Sequence, residues 1–536
     1  MPHNPAKAIA RKLLPAESLP GTVARRIAYK QGWVTGDPLQ EAYARYMAIV
    51  EPHVFYPPLA GPRSDAAPLF SVVIPFFDTP DKYVQPLVDS LLSQSFADWE
   101  AVFVDASADE DARRRISARC ADDPRLVYLR GDEGLGVSGN TNLGLARARG
   151  AYVAFVGDDD TLSLHALNEM AAAIEDDPSV DILYSDEDVL SEDGRIRHSP
   201  SFKPAWSPHL FLHMEYTGHL SVVRRELVEA VDGLRPDFDG AQNYDLLLRV
   251  LGLNREICVR HVPKVLYHLR QADAPRDVSE AAVEAGRAAL AEHMACVGLE
   301  GGDVADIAGR PGWHRCHPRR KAAVDVVVWV GDDPRLNSHY ARLLESRTES
   351  HWTSPRFVRA GSATEAAEAL RAAGETFALV RQPVLPKYPW WLDELVGAAG
   401  IPGTAMVAPL LTSLTGESVV CAGMARDPAE PDSGLVRLYQ GAPTELEGIV
   451  GPQNLSRSVD GLSTVVLVGR QPIGDLEALL ASDHVDAESA GGLLAVWANV
   501  ECRMLPLPDR DGTLNANLTV ADGRIVLRCG TVGGGL

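Results

Sequence analysis

The chain has 536 residues, with 51 Lys and Arg against 73 Asp and Glu and a formal net charge of −22. That balance excludes broad nucleic-acid binding, which needs an excess of cations to neutralise phosphates, and it requires any bound nucleotide to be met by a metal or by locally placed Arg and Lys. With 46% hydrophobic and 23% charged residues the chain can fill packed cores in two to four domains, and its seven dispersed cysteines, with no C-x-x-C, fit a reducing cytoplasm better than a disulfide framework.

Residues 1–68 read as a basic helical lead-in and linker. Lys7, Arg11, Lys12, Arg25, Arg26 and Lys30 face Glu17 as the one acid of the first 30 residues. The stretch "AKAIARKLL" fits a short amphipathic helix on an anionic membrane surface, with an ordinary solvated helix as the plainer alternative. No apolar run approaches the ~18 residues that span a bilayer, and no secretory leader is apparent. The expected location is cytoplasmic, with peripheral contact to the inner face of the plasma membrane through this basic segment.

From residue 69 the pattern alternates strand and helix. "FSVVIP" (70–75) is continuously apolar, as buried parallel strands are. "YVQPLVDSLLSQSF" sets Tyr83, Val84, Leu87, Val88 and Leu91 on one helical face. "EAVFVDAS" (100–107) is a second strand and "DEDARRRISARC" a polar helix. "RLVYLR" (125–130) is a third strand, "GNTNLGLARARG" a helix closed by Gly150, and "AYVAFVG" a fourth strand. "DILYSDEDV" and "GHLSVV" continue the series. This alternation predicts an α/β domain over 69–300 with a mostly parallel sheet.

A seam at 301–322 contains the basic run "HPRRK", which reads as a solvated linker before it reads as a phosphate site. The pattern then restarts over 323–536. "VDVVVWVGDDP" echoes "FSVVIPFFDTP", and "GETFALVRQPVLPKYPWWLDEL" follows "GAYVAFVGDDDTLSLHALNEM". These matches predict an internal duplication. The second copy has Arg381, Gln382 and Pro383 in place of Gly157, Asp158 and Asp159. It is also shorter, by about one strand–helix unit, between its first strand and that turn.

Two features of the first copy carry chemistry. "GLGVSG" (134–139) spells G-x-G-x-x-G, the dinucleotide-binding motif, and on its own would point to a nicotinamide-dependent oxidoreductase. However, "GDE" separates it from its strand and two strand–helix units precede it, so it reads better as the entry to a helix. The second feature is acidic. Ligands of an open α/β sheet collect at the carboxyl ends of its strands, where Asp105 and the trio Asp158, Asp159 and Asp160 stand. Adjacent carboxylates there suit Mg²⁺ or Mn²⁺, held by one or two of them together with substrate phosphates; a polar turn capping the next helix is the alternative.

From Phe70 to about Arg270 the pieces "SVVIPFFDTP", "SLLSQSFADWEAVFVDAS", "GVSGNTNLGLARARGAYVAFVGDDDTL", "ILYSDEDVLSEDG", "FKPAWSPHLFLHMEYTGHLSVVRREL", "GAQNYDLLLRV" and "KVLYHLR" resemble, in order and spacing, the family-2 inverting glycosyltransferases of GT-A fold. The bacterial O-antigen and surface-polysaccharide type is the nearest subgroup. The 323–536 region resembles, more weakly, a degenerate second GT-A module. The resemblance implies a transfer from a nucleoside-diphosphate-sugar, UDP- or dTDP-linked, to a glycan or polyprenyl-linked acceptor. It implies Pro75 and Phe76 lining the nucleotide pocket and Asp105 on the base. It places Asp158 and Asp159 on ribose and metal, with Asp160 beside them, and His268 as a further metal ligand. Asn142 would hold the site together or touch the nucleotide. Two departures stand out. Gly157 occupies the usual first acid of the D-x-D motif. Asn243 stands where the family has its catalytic base, which transfers the role to Asp245 or to an acid of "SDED" such as Asp186. Otherwise the domain is a pseudo-glycosyltransferase that binds or scaffolds.

Overall fold

The computed structural model describes residues 38–51, 67–270, 278–299, 302–426 and, further on, 435–438, 440, 447–448, 451–452, 457–473, 476–490, 492–505, 518–521 and 524–527. The expected membrane-surface segment at 7–30 lies outside the described residues. Among them, no helix is long and apolar enough to cross a membrane.

A short helix, α1 (Pro38–Arg45), precedes the first sheet. Then come β1 (Phe70–Phe76), α2 (Asp81–Leu92), β2 (Trp99–Asp105), α3 (Glu110–Cys120), β3 (Leu126–Arg130), α4 (Gly136–Arg147) and β4 (Tyr152–Phe155). The predicted apolar face of α2 is buried through Val84, Leu87, Val88 and Leu91, while Tyr83 stays half-buried. β1 and β2 are buried on both faces because helices cover both sides of a parallel sheet. The chain continues with β5 (Thr161–Leu162), α5 (Ala166–Asp176), β6 (Ile182–Leu190), β7 (Arg197–Ser201), β8 (Ser221–Arg224), α6 (Gln242–Leu251), β9 (Val259–Arg270) and α7 (Glu280–Cys296).

The main strand order is β3-β2-β1-β4-β8-β6-β9-β5, with β7 beside β6. β3, β2, β1 and β4 are parallel, but β8 runs antiparallel to both β4 and β6. The sheet is therefore mixed, as the family resemblance implies, although the strand–helix alternation taken alone pointed to a mostly parallel one. An apolar run reports that a strand is buried; its direction is set by the connection that delivers it.

The second sheet repeats this plan. Its central strands, Thr353–Arg359, Ala322–Val328 and Thr376–Val380, are parallel. Val466–Arg470 then pairs antiparallel to Thr376–Val380 and to Thr404–Thr412, the latter runs parallel to Leu493–Met504, and Val384–Pro386 closes the edge antiparallel. Strand for strand, order and direction match the first sheet without β3, which accounts for the missing strand–helix unit.

The seam itself is folded. Asp303–Asp306 and His314–His317 form an antiparallel pair. His317 and Arg319 bind the buried carboxylate of Glu394, at 2.9 and 2.5 Å, so the basic run is held against the second sheet's helix and is not a solvated linker. The modules also share one hydrophobic cluster, in which Leu210, Phe211, Tyr244 and Leu290 join Val324, Trp391 and Val396. At that seam the fully buried His209 bridges Thr404 Oγ1 (2.9 Å) and Ser458 Oγ (3.0 Å), and His213 Nδ1 meets the His314 carbonyl at 2.9 Å.

Candidate functional site

The carboxyl ends of β1, β2 and β4 are tied into one surface. Pro75 is half-buried at the end of β1. Asp105 ends β2 with 0% exposure and accepts hydrogen bonds from the Ser107 N–H (3.0 Å) and the Tyr128 hydroxyl (3.1 Å). The Asp78 N–H donates to Ser107 Oγ at 3.0 Å, joining the β1 and β2 loops. Asp158, beyond β4, accepts from the Thr79 hydroxyl and, at 3.4 Å, from the Phe77 N–H. Burial, with the Asp159 charge adding to it, pushes the Asp158 carboxyl up to about 6.

Phe76 does not line this surface. It is fully buried and stacks on Phe103 at 5.3 Å, because consecutive strand residues face opposite sides and Phe76 follows Ile74 into the core.

The acidic trio diverges. Asp158 and Asp159 are half-buried at the strand end. Asp160 turns inward, accepting from the Tyr267 hydroxyl (2.6 Å) and the Arg270 N–H (2.7 Å). The same Tyr267 oxygen accepts from the Gly157 N–H at 2.9 Å. A Cβ on residue 157 would meet Asp160 Oδ2 at 2.5 Å, so the inward turn of Asp160 explains why glycine replaces the first acid. His268, beside Tyr267 on β9, binds Asp188 at 2.6 Å in a network with Tyr43, Arg197 and Glu51. Alternation along β9 sends Tyr267 to the acidic turn and His268 away from it. Among the described residues no group of three or more His, Cys, Asp or Glu could hold a metal. The donor set that fits Mg²⁺ or Mn²⁺ is Asp158 with Asp159, two hard carboxylates to be completed by phosphate oxygens; Asp160 and His268 drop out of it.

On the expected base side, Asn243 is half-buried in the first turn of α6, and its carboxamide makes no hydrogen bond among the described residues. Asp245 cannot replace it. Its carboxylate has 0% exposure and is held by Arg235 and by Arg249, whose Nη2 lies at 2.8 Å. Asp245→Asn should therefore cost about 3 kcal/mol of stability, by leaving two guanidinium groups without their counter-charge. Chemical denaturation of the variant measures this; unchanged stability would contradict the assignment. Asp186 is also committed, to His261 (2.8 Å) and the Lys203 N–H (2.8 Å). Glu187 accepts from Lys203 Nζ (3.0 Å) and from the backbone N–H of His219 (2.7 Å); burial raises its carboxyl, but hydrogen bonding to His219 and the Lys203 charge outweigh it and hold it down at about 2.

The glycine motif is filled from within. Gly136, at φ 63°, starts α4, and Asp239 accepts from the next two N–H groups, Val137 (3.1 Å) and Ser138 (3.0 Å). A carboxylate thus occupies the anion position that a pyrophosphate takes in a dinucleotide fold. Asn142 bonds both ways to the Leu234 backbone, at 2.7 and 2.8 Å, and so ties α4 to the chain before α6.

Of the sequence-nominated residues, the fold brings together Pro75, Asp105, Asp158 and Asp159. Sequence reasoning missed Thr79, Tyr128, His219, Asp239 and Tyr267, and it offered Glu187 only as one of the alternative bases in "SDED". For Tyr267 a signal was available: in "LYHLR" only one of the adjacent Tyr and His can face the turn.

Comparison with known proteins adds family information. Residues 71–232 match the description Glycosyl transferase family 2. The chain is 34% identical over 379 residues to the O-antigen biosynthesis protein RfbC of Myxococcus xanthus, covering 64% of this chain and 29% of that protein. It is 35% identical over 238 residues to the uncharacterized protein y4gI of Sinorhizobium fredii, covering 44% of this chain and 26% of that one. The chain thus spans between a quarter and a third of the length of these two relatives. Among solved structures, S. aureus TarS 1-349 in complex with UDP-GlcNAc is similar at 23% identity and a TM-score of 0.33, over 42% of this chain and 66% of that one.

Proposed function

We propose, on the premise that residues 71–232 match Glycosyl transferase family 2, that the protein is a metal-dependent inverting glycosyltransferase. It would move a sugar from a nucleoside-diphosphate-sugar, UDP- or dTDP-linked, to a glycan or polyprenyl-linked acceptor in cytoplasmic synthesis of a surface polysaccharide. The similarity to a protein named for O-antigen biosynthesis supports that setting. The convergence of Pro75, Asp105, Asp158 and Asp159 at neighbouring strand ends carries the reading.

In this reading Asp105, fixed by Ser107 and Tyr128, accepts from the nucleobase, and Pro75 lines the pocket. Asp158 and Asp159 would hold Mn²⁺ or Mg²⁺, whose chemistry is to neutralise the departing diphosphate as a Lewis acid. Thr79 and Phe77 orient Asp158. Tyr267 fixes the turn through Gly157 and Asp160. Inversion further requires a base opposite the leaving group, and the Asn243 position is where one is wanted.

That requirement favours a second reading, a catalytically impaired domain that binds or scaffolds, because Asp245 is held by two guanidinium groups and Asp186 by the His261 ring and the Lys203 N–H. Nucleotide-sugars screened with Mn²⁺ for release of nucleoside diphosphate separate the two. Release with at least one donor is expected; nucleotide binding without release would sink the transferase reading. Asn243→Asp should leave the release rate equal or raise it, and a strong loss would assign Asn243 a specific role.

The second module is proposed to be a degenerate GT-A-like domain. Its matching strand plan supports this, as does its counterpart of the acidic turn. There Arg381 lies over the Trp329 ring at 5.3 Å and donates to Thr464 Oγ1 at 2.9 Å, so a cation of the chain itself occupies that place.

A further inference from the structure

His219 stands at the acidic turn and is given no role by the reading above. Register places it there: β8 pairs Ser221 with Phe155 on one side and with Tyr184 on the other. His219 lies two residues upstream of those pairs, and its ring meets Tyr267, which holds Gly157 of the turn.

The environment of His219 is built. Lys203, 2% exposed, donates Nζ to Glu187 (3.0 Å) and to the carbonyls of Thr217 (2.6 Å) and His219 (2.7 Å), fixing the backbone over 217–219. Gly218 has φ 52°, and a Cβ there would meet Glu187 at 2.7 Å and Lys203 at 2.9 Å, so the carboxylate–ammonium pair packs against bare backbone. The imidazole stacks on Tyr267 at 5.0 Å, on the ring whose hydroxyl holds Gly157 and Asp160. Its Nδ1 is buried and faces Glu187 at 3.5 Å, while the side chain as a whole is 37% exposed. Nε2 is thus the polar atom left for a ligand.

The charge pattern selects the ligand. Glu187 and Asp160 both favour the protonated ring and raise its pKa against the effect of burial. Of the two other cations near the turn, Lys203 is committed to its three oxygens, and Arg270 uses Nε and Nη1 on the carbonyls of Asp159 (3.1 Å), Ser191 and Glu192 (both 3.4 Å), while its Nη2 is buried without a partner among the described residues. Resting on the glycosyltransferase reading, we propose that His219 donates from Nε2 to the β-phosphate of the sugar-nucleotide donor, across the turn that carries Asp158 and Asp159. Charge collects on that phosphate as the sugar departs, and a fixed donor placed there stabilises the change. Glu187, Lys203 and Tyr267 are positioning residues for the ring.

The test is calorimetric titration, with Mn²⁺, of UDP, dTDP, UMP and dTMP into the full-length protein and its His219→Ala and His219→Gln variants. The alanine variant should bind the preferred diphosphate about tenfold more weakly, the loss of one charge-assisted hydrogen bond, and the matching monophosphate unchanged. The glutamine variant, which keeps an N–H donor, should recover part of the loss. Equal weakening for diphosphate and monophosphate, or no weakening in either variant, overturns the proposal while leaving the transferase reading in place. Failure of the wild-type protein to bind any of the four nucleotides overturns both.

Discussion

Asp159→Ala is expected to lower Mn²⁺-dependent nucleotide binding by about 100-fold or more, since even the loss of a group supporting a metal ligand costs 10–100-fold. Asp159 and Asp158 are the members of the trio left at the strand end, and Asp158 alone, already hydrogen-bonded to Thr79 and Phe77, makes a poor substitute. Asp160→Asn provides the contrast. Its carboxylate serves Tyr267 and the Arg270 backbone, so that change should lower thermal stability and leave the metal dependence in place. Calorimetric titration of nucleotide with and without Mn²⁺ measures both. Unchanged affinity in Asp159→Ala, or lost metal dependence in Asp160→Asn alone, would refute the division of roles.

Acidification is expected to loosen the joint between the modules. Burial depresses His209 to about 3 and His213 to about 4, each from an ordinary value of 6.5. Below pH 6.5 the unfolded chain takes up protons at both sites and the folded chain does not. The stability these groups contribute is therefore whole above pH 6.5 and falls as pH drops toward the folded-state values. Between pH 7.5 and pH 5 the loss is about 2 kcal/mol for each histidine, about 4 kcal/mol for the pair. That corresponds to a fall of about 10 °C in melting temperature. His209→Gln, which can still bond Thr404 and does not titrate here, should remove about half of the shift. A melting temperature independent of pH over this range, or an undiminished shift in the variant, would contradict the prediction.

The two modules also show why a strand plan was readable and a site less so. Burial on both faces of β1 and β2 leaves a continuous apolar run in the sequence, and the repeat of that run near residue 324 announced the second sheet. The direction of β8 left no such trace, because it is fixed by where the intervening chain packs and not by the strand's own residues.

Among the site residues, the sequence by itself determined which strand ends carry carboxylates: Asp105 after β2 and Asp158 to Asp160 after β4. It also placed an amide, Asn243, at the position where the family resemblance implies a base. Tertiary structure alone decided which of those groups remain available. Asp245 is spent on Arg235 and Arg249, Asp160 on Tyr267 and Arg270, His268 on Asp188, and Asp239 on the helix that the glycine motif opens. The physical reason is that a polar or charged group taken wholly or partly out of water must find a partner. For Asp160, His268 and Asp239 that partner comes from a distant part of the chain, where spacing along the sequence carries no record of it; for Asp245 the partners are near in sequence, but only the fold shows that they close over it.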